Sequence, residues 1–256
     1  MRGKFIRCKP AKVFDLGREA GCLIEQRWFQ PCLLLTPCMM ERKAPGPLPL
    51  LNGCFRFVGL RLFLGLALLL SPVAVRARGF DTVILDPGHG GHDRGAGVGY
   101  VYEKHLALDT ARRVAQLLQG AGLHVVLSRT SDYFITLEDR SRLGNSRGNA
   151  IFVSVHYNYN RGGSGHGLET YYCHDDSYLL AAYIQAYAIS QTGLTNRGVK
   201  SANYHVIRAT NKNPAVLVEC GFVSNSGERA AMMYGDYREK IALGIAKGIL
   251  AFRKDH

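Results

Sequence analysis

Residues 78–256 predict a single α/β domain whose mainly parallel central sheet is flanked by helices. Three observations predict it. Short β-branched apolar runs alternate with segments of helical periodicity. Three of those runs lead directly into histidine or glutamate, which suits strands that deliver polar groups to one sheet edge. No internal repeat or long linker interrupts the pattern.

The elements follow in order. TVILD (82–86), bounded by Pro87 and glycines, reads as a buried strand. In KHLALDTARRVAQLLQGAG (104–122), Ala107, Ala111, Val114 and Leu118 recur at helical spacing, and Gly120 and Gly122 end the helix. HVVLS (124–128) is a second strand. TLEDRSRLGNSRG (136–148) opens with Thr136-x-x-Asp139, a capping-box start for a helix. IFVSV (151–155) and GLETYYC (167–173) are strands, and SYLLAAYIQAYAISQTG (177–193) is a helix stopped by Gly193. NRGVKSANYHVIRAT (196–210) is a mixed segment containing a strand, and AVLVE (215–219) is strongly strand-like. DYREKIALGIAKGILAFR (236–253) is the last helix, with Asp236 and Glu239 set for a second capping box.

The charge is unevenly spread. The 256-residue chain carries 32 Lys+Arg against 20 Asp+Glu, a formal charge of +12. Residues 1–77 hold 12 of the basic and 4 of the acidic residues, so the rest of the chain keeps only +4. Without a dense basic stripe interleaved with aromatics, a nucleic-acid partner loses its support. Residues 1–77 read as a leader: Arg56 and Arg61 precede the apolar LFLGLALLL (62–70), and Val75-x-Ala77 offers a cleavage site. The apolar run is shorter than the roughly 20 residues of a membrane span, so no stable span is expected after cleavage. An uncleaved anchor is the alternative, and translation from Met39 or Met40 would explain the featureless first segment. Cys54 precedes the apolar core, which argues against lipidation there. Five of seven cysteines fall in this leader. Cys173 and Cys220 remain, either as a pair or as buried free thiols.

TVILD runs into Gly88 and His89, IFVSV into His156, and AVLVE ends at Glu219. If the three strands are parallel, these groups converge at their carboxyl edge, and the glycine-rich loop returns Glu103 to the same place. Two imidazoles and a carboxylate are a common ligand set for catalytic zinc, and a further carboxylate can act as base and then as acid. The assignment is therefore His89, Glu103 and His156 on one zinc ion, with Glu219 as general base. The ligands lie 14 and 53 residues apart, without a compact motif. Taken singly, His89 reads as a turn residue, His156 as a core histidine and Glu103 as an acid favoured at a helix start. Glu219 is harder to explain away, because a carboxylate closing an apolar strand is costly unless paired or functional. The conjunction carries the argument.

The other histidines keep plainer readings. His92 and His166 lie in glycine loops that could line a groove, His105 and His124 face solvent, and His174 and His205 have no evident partner. Asp86 and Asp93 either orient a ligand histidine or cap their loop.

DPGHGGHDRGAG, EKHLALDTARRVAQLL, LSRTSDYFITLEDR, SVHYN, GLETYY, NRGVK and PAVLVECGF occur in that order. Together they resemble the zinc-dependent N-acetylmuramoyl-L-alanine amidases of the amidase 3 type over nearly all of residues 81–253. The resemblance implies zinc held by His89, Glu103 and His156, catalysis by Glu219, and cleavage of the amide between N-acetylmuramic acid and L-alanine in peptidoglycan. It implies a chain exported to the periplasm or cell wall.

Three departures stand out. Tyr157 replaces a small residue and is expected to narrow the groove beside His156. Gly144 stands where alanine is usual, a packing variation. Only residues 173–177 separate the GLETYY strand from the next helix, where some members insert a segment that plugs the site, so the site is expected to be open without an activator. The competing readings are a zinc peptidase acting on the stem peptide and a wall-binding module without turnover.

Overall fold

The computed structural model of the chain describes residues 79–256. The leader reading, with its apolar core, cleavage site and five cysteines, lies outside the described residues. In chain order the elements are β1 (Thr82–Pro87), β2 (Gly97–Val98), β3 (Val101–Tyr102), α1 (Glu103–Gly120), β4 (His124–Leu127), α2 (Leu137–Gly144) and β5 (Ala150–Asn158). Then come β6 (Leu168–Tyr172), α3 (Tyr178–Thr192), β7 (Asn196–Ser201), α4 (His205–Ala209), β8 (Ala215–Phe222), α5 (Ser226–Met232) and α6 (Gly235–Asp255).

The main sheet has the order β4-β1-β5-β8-β6-β7. β1 pairs in parallel with β4 and β5, and β5 pairs in parallel with β8. The three strands that carry the candidate site residues are thus adjacent, parallel and central. β6 runs antiparallel to β8, and β7 runs parallel to β6. The direction of β6 follows from its connection: a loop over 159–167 has no crossover helix, and a parallel return needs one.

Period-two alternation builds two cores. Val83, Leu85, Val153, Val155, Val216 and Val218 point to one face and pack with the apolar sides of α1, α3 and α6. Ile84, Phe152 and Leu217 point to the other and meet Val206 and Ile207 of α4. Helices α3 and α6 approach very closely. A Cβ at Gly244 would lie 2.5 Å from the Ala188 Cα, and one at Gly248 would lie 2.6 Å from the Ile184 Cα. Gly144 likewise has a packing reason, since a Cβ there would come within 2.6 Å of Thr210 Oγ1.

The α2 cap forms as expected, with the Asp139 N–H donating to Thr136 Oγ1 at 3.1 Å. The second capping box does not form. Helix α6 starts a residue earlier, after Tyr234, whose side chain makes no capping bond. Glu239 instead accepts a hydrogen bond from Arg113 of α1 at 2.6 Å. Cys173 and Cys220 form no disulfide. Among the described residues, no helix is long and apolar enough to cross a membrane.

Candidate metal centre

The chain leaves β1 at Gly88, whose N–H still donates to the Val155 carbonyl at 2.9 Å. His89 then takes φ +60°, a left-handed conformation that non-glycine residues adopt at a cost. Gly88 and Gly95 clear the space around the donor groups. A Cβ on Gly88 would fall 2.3 Å from His156 Cε1, and one on Gly95 would fall 2.5 Å from both Glu103 Oε2 and His89 Cδ2.

The β2–β3 hairpin turns the chain back, so that α1 opens on Glu103 directly beside the loop. Glu103 is only 4% exposed, and both its carboxylate oxygens are engaged. Oε2 accepts from the Ala96 N–H at 2.7 Å and lies 3.1 Å from His89 Nε2. Oε1 accepts from the Tyr157 N–H at 3.0 Å and lies 2.8 Å from His156 Nδ1. On the far side of the His89 ring, Nδ1 meets Asp93 Oδ2 at 2.8 Å, which fixes the ring with Nε2 toward Glu103. One donor atom from each of His89, Glu103 and His156 lies within 4.8 Å of the others. Burial pushes the Glu103 carboxyl up, but the His156 and His89 imidazoles outweigh it and hold it well below the usual carboxylate range. Burial likewise lowers His89, and Glu103 and Asp93 outweigh it and raise its pKa.

Glu219 pairs in register with His156 across β5 and β8. Its Oε2 is buried without a hydrogen-bond partner. Burial, then the nearby Glu103 and Glu169 carboxylates, pushes its pKa well above the ordinary value. Glu219 and the three donors all line one cleft of about 790 Å³, whose other wall includes Phe134, Tyr204 and His205. Two imidazoles and a carboxylate, oriented from behind and set in a glycine-cleared cradle, suit zinc in a site that keeps an open position.

The structure places the remaining candidates as follows. Asp93 touches a donor histidine, whereas Asp86 is fully buried and bonds Ser128, Ser154 and Arg140. His92 packs on Phe134 with ring centroids 4.2 Å apart. His105 and His124 are exposed. His174 and His205 do have surroundings: His174 Nε2 meets the Arg208 carbonyl at 2.9 Å, and His205 lines the cleft. Tyr157 does not narrow the groove. Alternation along β5 turns its side chain into the core, where it is 1% exposed and its hydroxyl meets Thr110 Oγ1 at 2.7 Å. Its backbone N–H is what bonds the Glu103 carboxylate.

The sequence reading missed Glu169, which pairs in register with Glu219 and is buried. It accepts from Asn158 at 2.7 Å, Tyr171 at 2.8 Å and Arg197 at 2.8 Å, and from Lys200. A carboxylate alternating with apolar residues in a predicted strand was the available signal.

The fold and the cleft are those of an α/β hydrolytic domain with three donor groups that could hold a metal ion. The chain belongs to the N-acetylmuramoyl-L-alanine amidase family, which its residues 83–251 match. It is 36% identical over 178 residues to the N-acetylmuramoyl-L-alanine amidase LytC of Bacillus subtilis, covering 67% of this chain but 35% of LytC. It therefore spans about a third of that relative's length. The catalytic domain of CwlV, an N-acetylmuramoyl-L-alanine amidase from Bacillus (Paenibacillus) polymyxa, superposes with a TM-score of 0.64 at 39% identity, over 67% of this chain and 97% of that one. The CwlD amidase of Clostridioides difficile, solved in complex with the GerS lipoprotein, superposes with a TM-score of 0.66 at 30% identity, over 69% of this chain and all of that one.

Proposed function

We propose that the chain is a zinc-dependent N-acetylmuramoyl-L-alanine amidase that cuts the amide joining N-acetylmuramic acid to the L-alanine of the peptidoglycan stem peptide. Residues 78–256 are its catalytic domain, and residues 1–77 a leader that exports it to the periplasm or cell wall. One observation carries the reading: three converging donors stand beside a buried, unpartnered carboxylate oxygen in one cleft of an amidase-family domain.

His89, Glu103 and His156 would hold the ion, one per chain. Zinc supplies a Lewis acid for the scissile carbonyl and lowers the pKa of the attacking water. Asp93 keeps the His89 ring in place from behind. Glu219 takes the water proton on its buried carboxylate and returns it to the amine nitrogen of L-alanine as the C–N bond breaks. Burial, and then the neighbouring Glu103 and Glu169 carboxylates, raise its pKa, which makes the carboxylate a stronger base toward the water proton. The cleft lies open among the described residues, which supports turnover without an activator.

The test is to incubate residues 78–256 with purified peptidoglycan, with and without a zinc chelator, and weigh the soluble products. Intact stem peptides with a free L-alanine amine, lost on chelation and restored by zinc, are expected. Shortened stem peptides would replace this reading with a zinc peptidase. Bound zinc without products would leave a wall-binding module or a chain that needs a partner.

A further inference from the structure

Arg129, in the segment between β4 and α2, is fully buried. It donates only to main-chain carbonyls: Nε to Pro87 at 3.0 Å, Nη1 to Ser131 at 3.2 Å, and Nη2 to both Gly88 at 2.7 Å and Lys104 at 2.8 Å. Arg140 of α2 lies alongside. Its Nη1 donates to Asp86 at 2.6 Å and to the Pro87 carbonyl at 2.7 Å, and its Nη2 donates to the His89 carbonyl at 2.6 Å. The two guanidiniums thus hold three successive carbonyls, those of residues 87, 88 and 89.

The consequence is geometric. The Gly88 carbonyl belongs to the peptide plane before the His89 Cα, and the His89 carbonyl to the plane after it. Each plane is rigid, so fixing both fixes φ and ψ at His89 and hence the direction of its side chain. The conformation so held is the left-handed one, φ +60°, which an unsupported histidine would leave. Arg129 also bridges two segments, because the Nη2 that holds Gly88 holds Lys104, the residue after Glu103. One nitrogen ties the loop bearing one donor to the helix bearing another. The loop lies directly on the arginine, and a Cβ at Gly90 would come within 3.1 Å of Arg129 Cδ and Nε.

The arrangement is not what packing alone demands. A guanidinium taken wholly out of water and bonded to carbonyls costs more to bury than an apolar side chain of its size. Burial, and then the charge on Arg140, lowers the Arg129 pKa.

We infer that Arg129, with Arg140 beside it, is a positioning residue for the metal centre: it locks the backbone at His89 and joins that loop to the helix carrying Glu103, so that zinc affinity and coordination geometry depend on it. The inference rests on the proposed zinc site.

The experiment measures zinc affinity by competition with a chromophoric chelator, and the visible spectrum of the cobalt-loaded protein, for the full chain and its variants. Arg129→Lys keeps the charge but not the fork that spans two carbonyls. It is expected to bind zinc about 10–100-fold more weakly and to show an altered cobalt spectrum. Arg129→Ala should behave alike, and guanidinium at low millimolar concentration, far below denaturing levels, should restore both readouts. A core variant distant from the loop, Ile249→Ala, controls for lost stability and should leave zinc affinity unchanged. If Arg129→Ala does not fold, Arg129→Lys decides. Unchanged zinc affinity and cobalt spectrum in Arg129→Lys, with normal uptake by the wild type, would overturn the role of Arg129 alone. Failure of the wild type to take up zinc would overturn this inference and the zinc reading beneath it together.

Discussion

At residue scale, a carboxylate with one oxygen buried beyond any partner, and two other carboxylates nearby, is relieved when its charge is removed. Glu219 is in that position. Glu219→Gln is therefore expected to lower peptidoglycan hydrolysis about 10²–10⁴-fold, the usual contribution of a general acid–base group. It should leave zinc bound and the melting temperature unchanged or raised. Product release assays, metal analysis and calorimetry on one preparation check all three, and unchanged hydrolysis would remove Glu219 from the mechanism. Asp93→Ala frees His89 Nδ1 from its partner at 2.8 Å, and zinc should then bind about 10–100-fold more weakly. His89, His156 and Glu219 were legible because each follows an apolar run, so strand direction alone brought them to one edge, whereas Glu103 depended on the loop that returns the chain. Glu169 was not, because its cationic partners Arg197 and Lys200 lie 28 and 31 residues further on. Nothing in the local pattern announces such a pairing. Tyr157 was misplaced for a different reason: comparison with related motifs compares residue types, whereas its direction follows from alternation outward from His156.

At the scale of elements, the long helices and central strands were legible because periodicity accumulates over their length. The β2–β3 hairpin, α4 and α5 were not. Two-residue strands and helices of five and seven residues cannot stand on intrinsic propensity, and tertiary packing forms them. The hairpin is what sets Glu103 beside His89, so the least legible element positions a proposed ligand. The antiparallel direction of β6 was equally hidden, since pairing partners follow from connection length rather than from the strand itself. The α3–α6 contact yields the prediction at this scale. Gly248 faces the Ile184 backbone across the helix pair, and a methyl group placed 2.6 Å from a Cα cannot be accommodated without shifting a helix. Gly248→Ala normally favours a helix, yet here overpacking should dominate and cost about 1–3 kcal/mol. Chemical denaturation checks the sign, and a stabilised variant would mean that the helices stand further apart.

Over the whole molecule, stability should respond to pH and metal through identifiable groups. Burial acts to raise the Glu169 pKa, but Lys200, Arg197 and Tyr171 outweigh it and lower it. A depressed carboxyl contributes its stabilisation above the unfolded-state pKa of about 4.3 and loses it as pH falls through the folded value. The melting temperature should therefore drop on the acid side, and Glu169→Gln should flatten that limb. An acid limb identical in the variant would move the effect to other carboxyls. Metal acts from the other direction. A ligand that binds only the folded state adds about 2.7 kcal/mol at a hundredfold excess over its dissociation constant. For a domain of this size each kcal/mol is worth about 2–4 °C, so zinc should raise the melting temperature by about 5–11 °C over chelator-treated protein. The gain must itself shrink as pH falls, because the proposed ligands bind metal only when deprotonated and protons compete for His89. Glu103 and Asp93, by raising the His89 pKa against burial, bring that competition in at higher pH than a free histidine would. The zinc-dependent increment should thus be largest above about pH 7 and shrink toward pH 5, below the ordinary histidine pKa of about 6.5. Calorimetric scans with zinc and with chelator across that range measure it directly. An increment independent of pH would mean that the ion sits on groups other than these histidines.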